Sequence, residues 1–216
     1  GEDLDNHGVQ NAGETNPADG DSDDDDVNDG VERGRGTNPL DADSDDDGRN
    51  DGHEEMLGTN SLDADSDDDG SIDGDKFVRN TNALYADSHD DGVNDGGEAT
   101  RGTNPNDADS DDDGLNDGLD IASGGDPLNE DTDGDGLRDD DELAARTPLN
   151  NADIDGDRLT DPQELALGTN PFDADSDDDG VNDGREREPE NGTNPLDADT
   201  DDDGLSDLVE IDTDGT

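Results

Sequence analysis

The stretch Asp41-Ala42-Asp43-Ser44-Asp45-Asp46-Asp47-Gly48-Arg49-Asn50-Asp51-Gly52-His53-Glu54 decides how the rest of this sequence is read. Counted from Asp43, acids stand at positions 1, 3, 5, 9 and 12, as Asp43, Asp45, Asp47, Asp51 and Glu54, with Gly48 at position 6. This is the D-x-D-x-D-G-x5-E spacing of a calcium loop. Calcium takes about six to eight oxygens at ~2.3–2.6 Å, so the chain must curl around the ion, with the side chains at 1, 3 and 5 pointing inward. Glycine at 6 permits the sharp turn that presents the position-7 carbonyl, and a long acid at 12 closes the shell with two oxygens. Magnesium, which keeps its waters in an octahedron, suits such a loop less well, and zinc or copper would want His or Cys.

The phrase recurs. Position 1 falls at Asp21, Asp43, Asp65, Asp87, Asp109, Asp131, Asp153 and Asp175, each spaced by 22, and at Asp199 after 24, because the Glu188-Pro189-Glu190 region carries two extra residues. A fixed period of this length marks a tandem array. The expected division is a partial, degenerate repeat over 1–18, where Glu14-Thr15-Asn16-Pro17 stands for Gly-Thr-Asn-Pro, followed by nine units at 19–40, 41–62, 63–84, 85–106, 107–128, 129–150, 151–172, 173–196 and 197–216. The break at Gly215-Thr216, in mid-phrase, reads as a segment of a longer array.

The candidate metal ligands follow from the register. Besides position 1, they are Asp23, Asp45, Asp67, Asp111, Asp133, Asp155, Asp177 and Asp201 at position 3, and Asp25, Asp47, Asp69, Asp91, Asp113, Asp135, Asp157, Asp179 and Asp203 at position 5. Position 9 supplies Asp29, Asp51, Asp73, Asp95, Asp117, Asp139, Asp161, Asp183 and Asp207; position 12 supplies Glu32, Glu54, Glu98, Asp120, Glu142, Glu164, Glu186 and Glu210. Four kinds of departure mark weaker loops. His89 offers nitrogen at position 3, Lys76 at position 12 cannot ligate calcium, Asp120 is shorter than Glu, and Asp26 and Arg158 replace the position-6 glycine.

One ion does not use all the charge. The Asp43 unit holds seven acids (Asp41, Asp43, Asp45, Asp46, Asp47, Asp51 and Glu54), so one calcium leaves −5 and two leave −3. Crowding five like charges is costly even at an effective dielectric of about 20. The expectation is one to two calcium ions per repeat, with Asp41, Asp63, Asp107, Asp173 and Asp197 as candidates for the second.

Composition agrees with a chain held by ions. Of 216 residues, 71 are Asp or Glu and 11 Lys or Arg, a formal charge of −60; 22% are hydrophobic and no Cys is present. So little apolar surface cannot offset ~1–2 kcal/mol of backbone entropy per residue. The charge excludes nucleic acid and anionic surfaces as partners, and no apolar run suits direct membrane insertion. Missing thiols exclude disulfides and thiolate metal sites. Carboxylate pairs abound, but no apolar framework exists to build a pocket and tune them, so no enzyme is expected.

Between loops ten residues remain, interrupted by Gly58 and by Pro39, Pro105, Pro171 and Pro195. At most a single helical turn fits around Glu54 to Leu57 or Glu164 to Leu167, with Gly58 or Gly168 as a C-cap. Thr-Asn-Pro-Leu then reads as a turn. Apolar residues recur at position 7 (Val27, Val93, Leu115, Leu137, Leu159, Val181, Leu205) and at the spacer end (Leu40, Leu62, Leu84, Leu128, Phe172, Leu196), and are expected to meet between adjacent units.

Gly192 to Asp199 (Gly-Thr-Asn-Pro-Leu-Asp-Ala-Asp) and Asp113 to Gly118 (Asp-Gly-Leu-Asn-Asp-Gly) resemble the thrombospondin type 3 repeat in its cysteine-free bacterial and archaeal version. The apolar residue at position 7, as at Leu115, fits that family; dockerins place theirs at position 8, where this chain has Asn50, Asn94 or Asn116. The resemblance implies a calcium-stabilised tandem-repeat array with little regular secondary structure, commonly two ions per motif, in an exported setting. The expected function is an extracellular or cell-surface rod or spacer, or a building unit of a surface filament made with copies of itself; the alternative is calcium-dependent adhesion or self-association. Extracellular calcium modules bind at about 10⁻⁴–10⁻³ M, an affinity that leaves loops empty in a cytosol.

Overall fold

The computed structural model describes Thr15 and residues 19–214, with side chains to residue 211. The rest of the partial repeat, including His7, lies outside the described residues. Among these residues there is no strand, and the helices are short: α1 (Asp29–Arg35), α2 (Asp51–Leu57), α3 (Asp73–Arg79), α4 (Asp95–Arg101), α5 (Asp117–Ser123), α6 (Asp139–Ala145), α7 (Asp161–Leu167), α8 (Asp183–Glu186) and α9 (Asp207–Asp214). The chain divides into two compact units, Gly1–Ala108 and Asp109–Thr216. Among the described residues no helix is long and apolar enough to cross a membrane.

Every helix starts at the position-9 aspartate, which corrects the expectation of a single turn. The seven residues of each of α1 to α7 make about two turns, because the helix begins inside the loop rather than after it; α8, with four residues, keeps to a single turn. In α2, α4, α5 and α8 position 8 helps, whereas Asn28, Ile72 and Arg138 before α1, α3 and α6 make no side-chain cap bond. Asn50, Asn94, Asn116 and Asn182 sit in extended backbone, and their side chains accept from the amides of His53, Gly97, Leu119 and Arg185, three residues on. That is an N-cap, satisfying an amide the first turn leaves without a partner. The entry is pinned a second time: the position-9 amide donates to the carbonyl just before the loop, as Asp51 to Ala42 at 3.0 Å and Asp95 to Ala86 at 2.8 Å.

The C-caps follow expectation. Gly58 (φ 85°) and Gly168 (φ 85°) adopt the left-handed conformation and donate to Glu54 and Glu164. Asn80 and Arg146 take the same conformation in α3 and α6 without glycine's freedom. The Asn-Pro step then turns the chain: the Asp41 amide donates to the Asn38 carbonyl at 2.9 Å, and Asp107 and Asp173 repeat this bond to Asn104 and Asn170.

The apolar ladder forms only in part. At position 7, Val27, Val93, Leu115, Leu159 and Val181 are buried, but Leu205 is 49% exposed. The spacer-end residues Leu40, Leu62, Leu84, Leu128, Phe172 and Leu196 all remain substantially exposed. In three of these Pro-hydrophobic pairs the proline faces inward instead: Pro127, Pro171 and Pro195 are buried. Most buried side chains are carboxylates rather than hydrocarbons.

Candidate metal centre

Each loop is folded around its own carboxylates. The position-1 aspartate accepts from the position-6 amide, as Asp43 Oδ2 from Gly48 at 2.9 Å and Asp131 Oδ2 from Gly136 at 3.0 Å. The position-5 aspartate accepts from position 7: Asp47 Oδ1 from Arg49, and Asp113 Oδ1 from Leu115, both at 2.7 Å. The turn needs two left-handed residues. Glycine takes one at position 6, and Asp26 (φ 77°) and Arg158 (φ 88°) hold the same backbone where glycine is replaced. The other is position 4, where Asp46, Asp112 and Asp178 have φ near 60°. Asp tolerates that region better than most residues, so this acid shapes the turn.

Position 9 has a structural role within its own loop. Its Oδ1 accepts the position-2 amide and its Oδ2 the position-2 hydroxyl: Ser44 N to Asp51 at 2.9 Å and Ser44 Oγ to Asp51 at 2.7 Å, repeated by Ser66, Thr132, Ser176 and Thr200. The same hydroxyl accepts from the turn residue of its unit, as Asn38 N to Ser44 Oγ at 3.0 Å. One Ser or Thr thus ties turn, loop and helix start together. Position 2 was not singled out in the sequence, although Ser or Thr stands there in every unit but that of Ile154.

The ligand candidates gather into two kinds of cluster. Positions 1, 3 and 5 converge, as in Asp21, Asp23 and Asp25, in Asp43, Asp45 and Asp47, and in Asp65, Asp67 and Asp69; in each cluster one oxygen per residue lies within 4.8 Å of the others. A second cluster crosses between repeats. Asp25 and Glu32, positions 5 and 12 of one unit, meet Asp51, position 9 of the next, and all three are buried. Position 9 therefore faces backward, and position 5 belongs to both clusters. Burial is the first cause that raises Asp47, Asp120 and Glu164, and the acids across the joint, Asp73, Asp139 and Asp183, add smaller contributions.

The backbone fastens the same joint. Asp47 Oδ2 accepts from Gly74 at 2.8 Å, Asp69 Oδ2 from Gly96 at 3.2 Å and Asp157 Oδ2 from Gly184 at 2.6 Å. These are the position-10 glycines, whose backbone lies against the preceding loop: a Cβ at Gly74 would stand 2.1 Å from the Asp47 carbonyl oxygen.

The chemistry of these oxygens suits a hard cation. Glu32, Glu54, Glu142, Glu164 and Glu186 are 0% exposed. No hydrogen-bond donor reaches either oxygen of Glu32, Glu164 or Asp120, nor Oε2 of Glu54, Glu142 or Glu186. Like charges this close repel by on the order of 4 kcal/mol per pair at an effective dielectric of ~20. Burial, then the neighbouring carboxylates, push Glu54, Glu142, Glu164 and Glu186 up to about 8, Glu32 and Asp120 to about 7 and Asp45 to about 6. Oxygens that are buried, converging and without donors fit calcium, which takes carboxylate and carbonyl oxygens flexibly.

The remaining candidates are placed differently. Asp41, Asp63, Asp107, Asp173 and Asp197 are exposed, at the close of the Asn-Pro turn. In the unit of Asp199, Asp201 and Asp203 are exposed and Glu210 is only partly buried. His89 takes the place of the position-3 carboxylate: Nδ1 is 3.3 Å from Asp87 Oδ1 and Nε2 3.3 Å from Glu98 Oε1. Against desolvation, these carboxylates raise the imidazole above its ordinary value.

Lys76 stands in the second cluster. Its ammonium bonds Asp67 Oδ2, lies 2.9 Å from Asp69 Oδ2 and 3.6 Å from Asp95 Oδ2, and donates to the Tyr85 carbonyl at 3.3 Å.

Comparison with known proteins agrees with this geometry. The bacterial TSP3 repeat matches residues 91–108, 131–147 and 153–174. No curated protein and no solved structure matches the chain. The chain is similar to that repeat at these three places.

Proposed function

We propose that this chain is an extracellular, calcium-binding repeat region that ions turn from a self-repelling polymer into an ordered spacer or filament unit. The observation that carries the reading is the set of buried position-12 carboxylates Glu32, Glu54, Asp120, Glu142, Glu164 and Glu186, each with at least one oxygen that no donor reaches, with Glu32 converging on carboxylates of its own and the next unit. Two subsites per intact unit follow from the two clusters. Positions 1, 3 and 5 would hold one ion. Positions 5 and 12, with position 9 of the following unit, would hold a second, which lets each ion clamp adjacent repeats. The Asp41-type acids would complete shells from the surface.

The setting follows from affinity. A site with Kd near ~10⁻⁴ M in ~1 mM calcium contributes about RT ln 11, roughly 1.4 kcal/mol. Nine such sites give on the order of 13 kcal/mol, within the usual net stability of a domain. Cytosolic calcium would contribute almost nothing.

The test is a calcium titration of the chelated chain, followed by circular dichroism and sedimentation velocity. Contraction to a compact monomer between 0.1 and 1 mM calcium (the order expected of extracellular modules) supports the spacer. Further growth into large species supports the filament unit. No response in either signal removes the metal-folded reading.

A further inference from the structure

We infer that Lys76 is a built-in cation: its ammonium replaces the ion that would otherwise join the third and fourth repeats, making that joint independent of calcium. The inference rests on the calcium reading for the number of ions, and on Lys76 geometry alone for the order of the joint.

Position 12 is an acid in the other eight units and lysine here. Its side chain does not turn out to solvent: Lys76 is 0% exposed, as are the position-12 glutamates of the neighbouring loops. The ammonium meets position 5 (Asp69) and position 9 of the next unit (Asp95), the carboxylates of the second cluster, and also position 3 (Asp67) of the first. The Tyr85 carbonyl adds a neutral oxygen. Three N–H donors thus face three carboxylates and a carbonyl, the surroundings a buried ammonium requires.

Two consequences follow. A lysine contributes one positive charge and no carboxylate, so the second subsite of the Asp65 loop should not take a divalent ion, while Asp65, Asp67 and Asp69 remain able to bind one. And a tethered cation does not leave on dilution. An ion's contribution, RT ln(1 + [L]/Kd), vanishes on chelation; that of a covalently attached ammonium does not. The amides across this joint should then stay ordered when the others do not.

Two readouts on the full chain test this. Native mass spectrometry in excess calcium should find one more ion per chain in Lys76→Glu than in wild type, since the substitution restores the missing acid. Equal counts of one or more ions overturn the inference. Hydrogen exchange in chelator compares equivalent position-10 amides: Gly96, bonded to Asp69 beside the lysine, against Gly74 and Gly184, bonded to Asp47 and Asp157 in acid-only loops. Gly96 should exchange at least ~10-fold more slowly, and Lys76→Met should abolish that difference. Uniform exchange in wild type also overturns the inference. If neither protein binds calcium yet Gly96 alone is protected, the lysine's role stands and the calcium function fails.

Discussion

Ser44 shows how a small residue sets the geometry of a charged loop. Its hydroxyl donates to Asp51 Oδ2 at 2.7 Å and accepts the Asn38 amide at 3.0 Å, so one atom holds the turn, the loop and the start of α2. Ser44→Ala leaves a buried carboxylate oxygen and an amide short of partners. The expected cost is about 1–2 kcal/mol, read as a lower denaturation midpoint in saturating calcium, with the number of bound ions unchanged. The carboxylates make a second prediction at this scale. Glu54, Glu142, Glu164 and Glu186 have folded values near 8, raised by burial and by neighbouring acids above the ordinary glutamate value of 4.5. At these groups the metal-free fold therefore holds protons more tightly than the unfolded chain, so the stability they contribute is fully present below about pH 4.5 and is lost as pH rises through about 8. Circular dichroism in chelator should show order growing on acidification across that window. Calcium must displace those protons, so its affinity should fall as pH drops below 8, and calorimetry at pH 7 in two buffers of different ionisation heat should register proton release.

At the scale of the element, the decisive feature is where α2 to α8 begin. Starting at position 9 places position 10 in the first turn, flat against the preceding loop. Only glycine fits that contact without displacement where the backbone is closest: Gly74, Gly96 and Gly184 would each drive a Cβ to within 2.4 Å of the preceding loop's position-5 carbonyl oxygen. Gly74→Ala should cost more than ~2 kcal/mol through this backbone clash. Gly34→Ala, in α1 with nothing within 4 Å of its added Cβ, should be stabilising by about 0.5–1 kcal/mol, because alanine favours the helix. Paired melting curves in calcium separate the two outcomes. Pro162 is the instructive variant. It occupies position 10 in α7, where proline is acceptable because the first helical turn does not need its amide, and Oδ2 of the preceding Asp135 has no donor.

At the scale of the whole molecule, the buried side chains are mostly carboxylates, and the proposed calcium ions would supply the cohesion that hydrocarbon does not. Chelation of the chain is expected to abolish most helical signal and to raise the frictional ratio, with both restored by millimolar calcium and far less by equal magnesium, which dehydrates reluctantly; circular dichroism with sedimentation velocity measures this. The amino-acid sequence determined the loop itself, because the acids at 1, 3, 5, 9 and 12 and the glycine at 6 shape it through contacts between residues a few positions apart. It determined the period, the C-caps at Gly58 and Gly168 and the turn at Asn38 for the same reason: each involves residues within a few positions of one another. The two-turn helices were obscured because their first residues, positions 9 to 11, belong to the loop, so only the spacer was left to hold a helix. The burial of Pro171 in place of Phe172, and the backward reach of Asp51 toward Asp25 and Glu32, were decided only by tertiary structure. Both depend on how one repeat is set against the next, and a carboxylate at position 9 looks the same in the sequence whichever neighbour it serves. Lys76 is the sharpest case: a lysine at an acidic position reads as a lost ligand, and only the fold shows its ammonium among the carboxylates of two repeats.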